Sequence, residues 1–242
     1  MMKRKLKKLT IVPVLLSIFL FIAIAVITAA DVVLYHTPGY FENYFIENEV
    51  VNDLNRKITI DDVVKSTDCM MEYLRGNRKT LSVTVTADNL PQPFFSEKEI
   101  LHLRDVRKIF LYCFQFRRIA VFVFLTLLAF LFSEKTSRRQ YLYLFSRTGF
   151  HVLLCLFLIG GISFFLVLNN FDHVFITFHK LLFDNDFWIL NPQKDDLINL
   201  LHRSFFISTT KRIIFIFSCI IFSSEFILML LSKRFPPKQK TS

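Results

Sequence analysis

Two histidines stand where their neighbours could make them do proton chemistry. His102 lies in FFSEKEILHLRDV, residues 94–106, with Glu99 three positions before it and Asp105 three after. On a helix these three share a face, so a carboxylate can hold the imidazole in one tautomer and raise its basicity. His179 lies in FHKLLFDNDFWILNP, with Phe175 and Phe183 at i−4 and i+4 on the same helical side. Two imidazoles with ordinary pKa values of about 6.5 can divide the removal of one proton and the delivery of another near neutrality. The chain has no GxSxG, HExxH, GxxxxGK[ST] or GxGxxG motif, so the histidine pair is what remains for chemistry. Glu99-x-x-His102 has the spacing of a di-iron ligand pair, but such sites need a second copy and further carboxylates. The chain has no second copy, so we expect no metal unless ligands converge from distant segments.

The elements that must position these residues are set by hydropathy. The chain has 242 residues, is 53% hydrophobic and contains 30 Phe, which is more apolar than a soluble domain of this size, where about 45–50% is usual. Four apolar stretches are long enough to cross a bilayer: 11–30, 109–132, 145–168 and 211–232. The first follows a basic start, but at about 20 residues it exceeds the 7–15 of a signal peptide. It reads as an uncleaved anchor.

Charge decides the orientation. The flank 1–10, the loop 133–144 and the tail 233–242 are rich in Lys and Arg, and four spans put all three on one side, which the positive-inside rule makes cytoplasmic. Residues 31–108 and 169–210 then face outward. Both hold more Asp and Glu than Lys and Arg, so the formal net charge of +10 belongs to topology and anionic lipid, not to nucleic acid. Of the four Cys only Cys69 falls in an external segment, which leaves no external disulfide framework.

The segment 31–108 reads as a small folded cap. TIDDVVKSTDCMMEYLRG predicts a helix capped by Thr59, ended by Gly76 and apolar at Val63, Val64, Met70, Met71 and Leu74. KTLSVTVTA alternates as a strand does, and Tyr40, Phe41, Tyr44 and Phe45 share one side of a helix. The fold class is therefore a mainly α membrane protein, with four transmembrane helices and a small extracellular α+β cap. Other charges have ordinary roles: Arg117 and Arg118 reach the outer headgroups from the second span, and Glu225 in the fourth lies at the depth of Arg147 and His151, as for a structural ion pair.

FFSEKEILHLRDV, FHKLLFDNDFWILNP, the following DDLINLL and the helix end YLRG together resemble the lipoprotein intramolecular transacylases (Lit) of Gram-positive bacteria. The resemblance implies four spans with an extracellular cap, and a catalytic His pair that matches His102 and His179, with Asp105 or Glu99 in support. It implies transfer of an acyl chain from the sn-2 ester of a diacylglyceryl lipoprotein to the amine of its own N-terminal Cys, without a cofactor. Partners would be that lipoprotein and membrane lipid. Phe94, Phe95, Phe178, Phe183 and Trp188 would wall an apolar slot for the acyl chains, and Asn185 and the Trp188 indole would be candidate oxyanion donors. Two readings compete with this one: a non-catalytic docking protein for a lipoprotein or another membrane partner, and a metal-dependent lipid hydrolase using the same His residues as ligands.

Overall fold

A computed structural model describes residues 2–133, 141–146, 148, 149, 152, 161, 165 and 168–234. The elements are α1 (Met2–Tyr35), α2 (Tyr40–Glu47), a 3-10 turn (Val50–Asp53), α3 (Ile60–Arg75), β1 (Thr84–Ala87), β2 (Leu90–Pro93), α4 (Glu97–Phe132), α5 (Phe171–Leu182), α6 (Asp196–Leu200) and α7 (Arg203–Arg234). Among the described residues three helices are long and apolar enough to cross a membrane, at Val12–Tyr35, Glu97–Phe132 and Arg203–Leu231. The expected third span at 145–168, most of the loop 133–144 and the tail 233–242 fall largely outside the described residues.

The 36 residues of α4 correspond to about 54 Å at 1.5 Å per residue, against about 30 Å of hydrocarbon. Its first three turns hold Glu97, Lys98, Glu99, Arg104, Asp105, Arg107 and Lys108, which cannot sit in lipid without a large penalty. The apolar part begins at Ile109, and His102 precedes it.

The chain divides into two compact units. One comprises residues 1–30, 115–166 and 213–242. Its core gathers Val14, Ile18, Leu131, Tyr141 and Phe145, with the Phe21 ring 6.1 Å from Phe124 and 6.4 Å from Phe145. Large apolar side chains such as Phe122, Phe215 and Phe222 remain about two-thirds or more exposed, as suits helices whose solvent is lipid. Glu225 lies against buried Gly149, where an added Cβ would come within 2.7 Å of its Oε1. The expected partners of Glu225, Arg147 and His151, are outside the described residues.

The second unit comprises residues 31–114 and 167–212. Tyr40, Phe41, Tyr44 and Phe45 are all buried on one side of α2, as their spacing predicts. Tyr40, Phe41 and Tyr44 close around Phe205, whose ring stacks on Phe41 at 5.8 Å. Tyr40 and Tyr44 hydrogen-bond Thr209 at 2.5 Å and Ser204 at 2.8 Å. Helix α3 starts where Thr59 accepts the Asp62 N–H and stops at Gly76, φ 96°. Val63, Met70, Met71 and Leu74 are buried and Val64 is half-buried.

The strand expected over 79–87 forms only at Thr84–Ala87, paired antiparallel to Leu90–Pro93. Asp88 and Asn89 between them both have positive φ, 51° and 64°, the twist-matched two-residue hairpin turn. Pro91 and Pro93 lack N–H donors, which keeps the ladder short and blunts its outer edge.

Gly76 illustrates a position where only glycine is comfortable. Its φ lies in the left-handed region, and an added Cβ would sit 2.9 Å from the Leu111 Cδ2. That methyl can move, so backbone strain dominates. Gly76→Ala is expected to destabilise the protein by about 1–2 kcal/mol, read as a lowered unfolding temperature in detergent.

Candidate active site

Helix α4 is launched by a reciprocal cap. The Ser96 hydroxyl accepts the Glu99 N–H at 3.3 Å, and Glu99 Oε2 accepts the Ser96 N–H at 2.6 Å, the S-x-x-E capping box. One turn on, His102 and Leu103 are buried. Helix α5 is held by an aromatic ladder on the first turn of α7: Phe171 stacks on Phe175 at 5.7 Å, and both rings meet Phe206. His179 is the buried side chain of α5, while Val174, Ile176, Phe178 and Leu181 around it are exposed.

These two helices bring the imidazoles together. The His102 and His179 rings lie 5.8 Å apart, centroid to centroid, at 36°. Phe183 touches both, at 5.2 Å from His102 and 5.7 Å from His179. Around His179 stand Phe175 at 4.0 Å, Trp188 at 5.1 Å and Phe178 edge-on at 5.7 Å. His179 Nδ1 is 2.8 Å from the Phe175 carbonyl oxygen. A carbonyl only accepts, so Nδ1 carries the hydrogen and Nε2 of the neutral ring keeps its lone pair.

The flanking carboxylates do other work than their spacing suggests. Glu99 is 1% exposed; besides Ser96, its Oε1 accepts the Leu197 N–H at 2.5 Å at the start of α6. It belongs to a buried clamp with Asp195 and Asp196. Asp195 accepts Ser96 Oγ–H at 3.0 Å and the Asn191 N–H at 2.8 Å. Asp196 pairs with Arg56, which also donates to the carbonyls of Pro93 and Phe94. Asp105 is bonded to Lys108 at 2.8 Å and accepts Asn185 Nδ2–H at 3.0 Å. Its charge still acts on His102 through space.

Of the expected slot residues, Phe178, Phe183 and Trp188 are at the imidazoles. Phe94 and Phe95 are instead buried as an edge-to-face pair at 4.8 Å, with the Arg56 guanidinium 5.2 Å over the Phe94 ring. Asn185 is engaged at both ends of its amide, because Oδ1 accepts the Phe187 N–H at 3.1 Å. The clamp residues Ser96, Asp195, Asp196 and Arg56 were not singled out from spacing alone. The S-x-x-E box was the one local signal for them; the contacts of Arg56 and the two aspartates are long-range.

Burial sets the protonation of the pair. His102 is pushed down to about 4, first by burial, then by neighbouring His179, with Asp105 opposing. His179 is also lowered by burial, against the bond to Phe175. Both rings are neutral at pH 7 and able to take a proton. Between about 6.5 and about 4 the unfolded chain binds a proton that folded His102 refuses, so this contribution to stability is complete above that window and is lost as pH falls through it.

The chain's single Trp reports on His179 directly, since an imidazolium beside an indole quenches its emission. Emission is expected to fall on acidification with a midpoint below 6.5, and His179→Gln removes that step. A midpoint at or above 6.5 contradicts a buried neutral ring. Among the described residues no three His, Cys, Asp or Glu side chains come close enough together to hold a metal ion.

Comparison with known proteins gives a consistent answer. The family model described as lipoprotein intramolecular transacylase Lit matches residues 14–206. A crystal structure of the membrane integral lipoprotein intramolecular transacylase Lit from Bacillus cereus superposes with a TM-score of 0.71 at 21% identity, covering 94% of this chain and 99% of that one. Two single-histidine variants of that protein, to Ala and to Arg, both superpose at 0.68, with 18% and 20% identity. They cover 97% and 96% of this chain, and the same shares of their own. Curated proteins gave no match. At these identities the superpositions establish a shared fold. The family model spans most of the sequence, including both histidine segments, and on that ground the chain belongs to the lipoprotein intramolecular transacylase (Lit) family of membrane acyltransferases.

Proposed function

We propose that this protein moves the sn-2 acyl chain of a diacylglyceryl lipoprotein onto the α-amine of that lipoprotein's N-terminal Cys, by general acid/base catalysis at His102 and His179. The observation that carries the reading is the 5.8 Å approach of two buried imidazoles from distant segments within an aromatic wall. An α-amine with a pKa of about 7.7–8.0 attacks only as the free base. After attack on the ester carbonyl, the nitrogen must lose a proton and the departing glyceryl oxygen must gain one. One imidazole accepts the first and the pair returns it to the alkoxide, so the protonation of the protein is unchanged over the cycle.

His102 as base and His179 as acid is one division of labour; the bond from His179 Nδ1 to the Phe175 carbonyl supports the reverse, because it leaves Nε2 oriented as an acceptor. Ester-to-amide exchange is downhill, so neither ATP nor a cofactor is called for. Holding amine and ester together supplies part of the roughly 7–11 kcal/mol that well-oriented intramolecular reactions gain. Phe175, Phe178, Phe183 and Trp188 wall the reacting centre, and the Trp188 indole N–H is a side-chain donor for the oxyanion.

The topology that goes with this activity has four spans, both termini in the cytoplasm, and residues 31–108 and 169–210 outside. Its support is the basic character of 1–10, 133–144 and 233–242, and the break between compact units at Ala30 and Asp31. Exposed Phe178, Leu181 and Ile189 beside the pair suit contact with outer-leaflet lipid, from which the substrate arrives. The test is chemical: expression in a lipoprotein-producing host that lacks N-acylation, followed by mass spectrometry of the lipopeptides. An N-acyl, lyso-glyceryl Cys is expected, and a diacylglyceryl Cys with a free amine in all lipoproteins excludes the proposal.

A further inference from the structure

The residues between the two aromatic contacts of the pair are held to α4 by a side-chain bond with no place in the chemistry described above. Phe183 and Trp188, which flank the imidazoles, bracket a turn centred on Asn185. That amide donates to Asp105 Oδ2 at 3.0 Å and accepts the Phe187 N–H at 3.1 Å. Asp105 is three residues from His102, on the helix face that faces it. We propose that the Asp105–Asn185 hydrogen bond is the positioning contact that joins the two halves of the site, setting the 183–188 turn, and hence the rings of Phe183 and Trp188, against His102 and His179.

The geometry favours this over a catalytic role for either residue. Both Asp105 oxygens have partners, Lys108 at 2.8 Å and Asn185, and neither partner is an imidazole. With one amide hydrogen on Asp105 and its oxygen on Phe187, Asn185 is fixed as a turn-former. The far side of the turn is tied by Lys98 to the Ile189 carbonyl, and the near side by the Phe183 N–H to the His179 carbonyl at 2.9 Å. Asp105–Asn185 is the side-chain tie between those two points. A bond from a carboxylate is the stronger kind, and it acts here in a half-buried place where water competes poorly.

The inference rests on the His-pair reading, and the two fail differently. The full-length protein in detergent, acting on a synthetic diacylglyceryl lipopeptide with a free Cys amine, gives kcat and KM for Asp105→Ala, Asn185→Ala and the double variant. Each single change is expected to lower kcat about tenfold with KM within about twofold, because a misplaced base affects the transition state more than binding. The double variant is expected to be no worse than either single one, the mark of one shared contact. Trp188 emission is expected to shift in both single variants.

Asp105→Asn keeps an acceptor oxygen for Asn185, so it should lose less than threefold and leave Trp188 emission in place. That substitution decides the matter if the alanine variants do not fold. Losses that multiply to about a hundredfold in the double variant, unchanged Trp188 emission, or an Asp105→Asn loss equal to that of Asp105→Ala would each overturn the proposal. Activity retained by His102→Ala or His179→Ala would instead overturn the His-pair reading itself.

Discussion

Replacing His179 with Gln is expected to reduce conversion of a diacylglyceryl lipopeptide to its N-acyl lyso form by about 10²–10⁴-fold. That is the usual contribution of one positioned acid or base. Gln preserves much of the volume between Phe175 and Trp188, whose rings lie 4.0 and 5.1 Å from the imidazole, and can still hydrogen-bond, but it cannot exchange a proton. His102→Gln should lose a similar factor, and the double variant little more than either alone, because two groups that pass one proton act as a unit. Time courses by mass spectrometry measure all three. Turnover within tenfold of the parent in either single variant would remove general acid/base catalysis by that residue.

The pair's pH behaviour follows from burial. His102 held at about 4 remains a neutral base well below neutrality, so the acid limb of kcat in the enzyme–substrate complex belongs to whichever imidazole titrates higher. Protonation of the substrate amine, with a pKa of about 7.7–8.0, limits kcat/KM on the same side. The limb in kcat/KM is therefore expected to lie above that in kcat.

Glu99→Ala is the second large effect, and it concerns stability. The carboxylate is 1% exposed and accepts the Ser96 N–H at 2.6 Å and the Leu197 N–H at 2.5 Å. Truncation leaves the buried Leu197 N–H and the half-buried Ser96 N–H without an acceptor, each costing about 1–3 kcal/mol, and opens a cavity where the side chain was. A loss of about 3–5 kcal/mol is expected, with the α6 segment released from the start of α4. Glu99→Gln retains one carbonyl oxygen and should lose roughly half as much. Thermal unfolding in detergent distinguishes them; a Glu99→Ala protein as stable as the parent would show that the clamp is not what holds 191–197 in place.

Glu99 also shows how far local spacing carries. Three residues from His102 and on its face, it reads as a support for the imidazole; the same residue, three after Ser96, equally reads as half of a capping box. The fold chose the second, because Ser96 is within reach on the same helix turn and Leu197 N–H needs an acceptor. Asp105 was likewise drawn to Asn185 and Lys108. Phe94 and Phe95 precede His102 in the chain but point into the interior of their unit, where Arg56 covers the Phe94 ring. The partners that separate these roles, Leu197 for Glu99, Asn185 for Asp105 and Arg56 for Phe94, lie far away in sequence.

Other features needed no partner to be legible. Hydropathy identified the three long apolar helices among the described residues, since a span's backbone must satisfy itself and its side chains must be predominantly apolar. The one-sided aromatics of α2, the Thr59 cap and the Gly76 stop are local, and local geometry reproduces them. The strand was visible at 84–87, but its length depended on a partner containing Pro91 and Pro93.

Sequence by itself determined that this is a membrane-embedded chain of the transacylase family, with two histidines in its most distinctive segments, because hydropathy and short-range motifs are properties of neighbouring residues. Only the tertiary structure decided that those histidines meet at 5.8 Å, that a carbonyl on α5 selects the tautomer of one, and that Glu99 clamps backbone while Asp105 holds the Lys108 and Asn185 side chains, neither of them bonding an imidazole. The physical reason is that burial and hydrogen-bond partners are set by long-range packing, and it is burial and partners, not residue type, that fix where a proton resides.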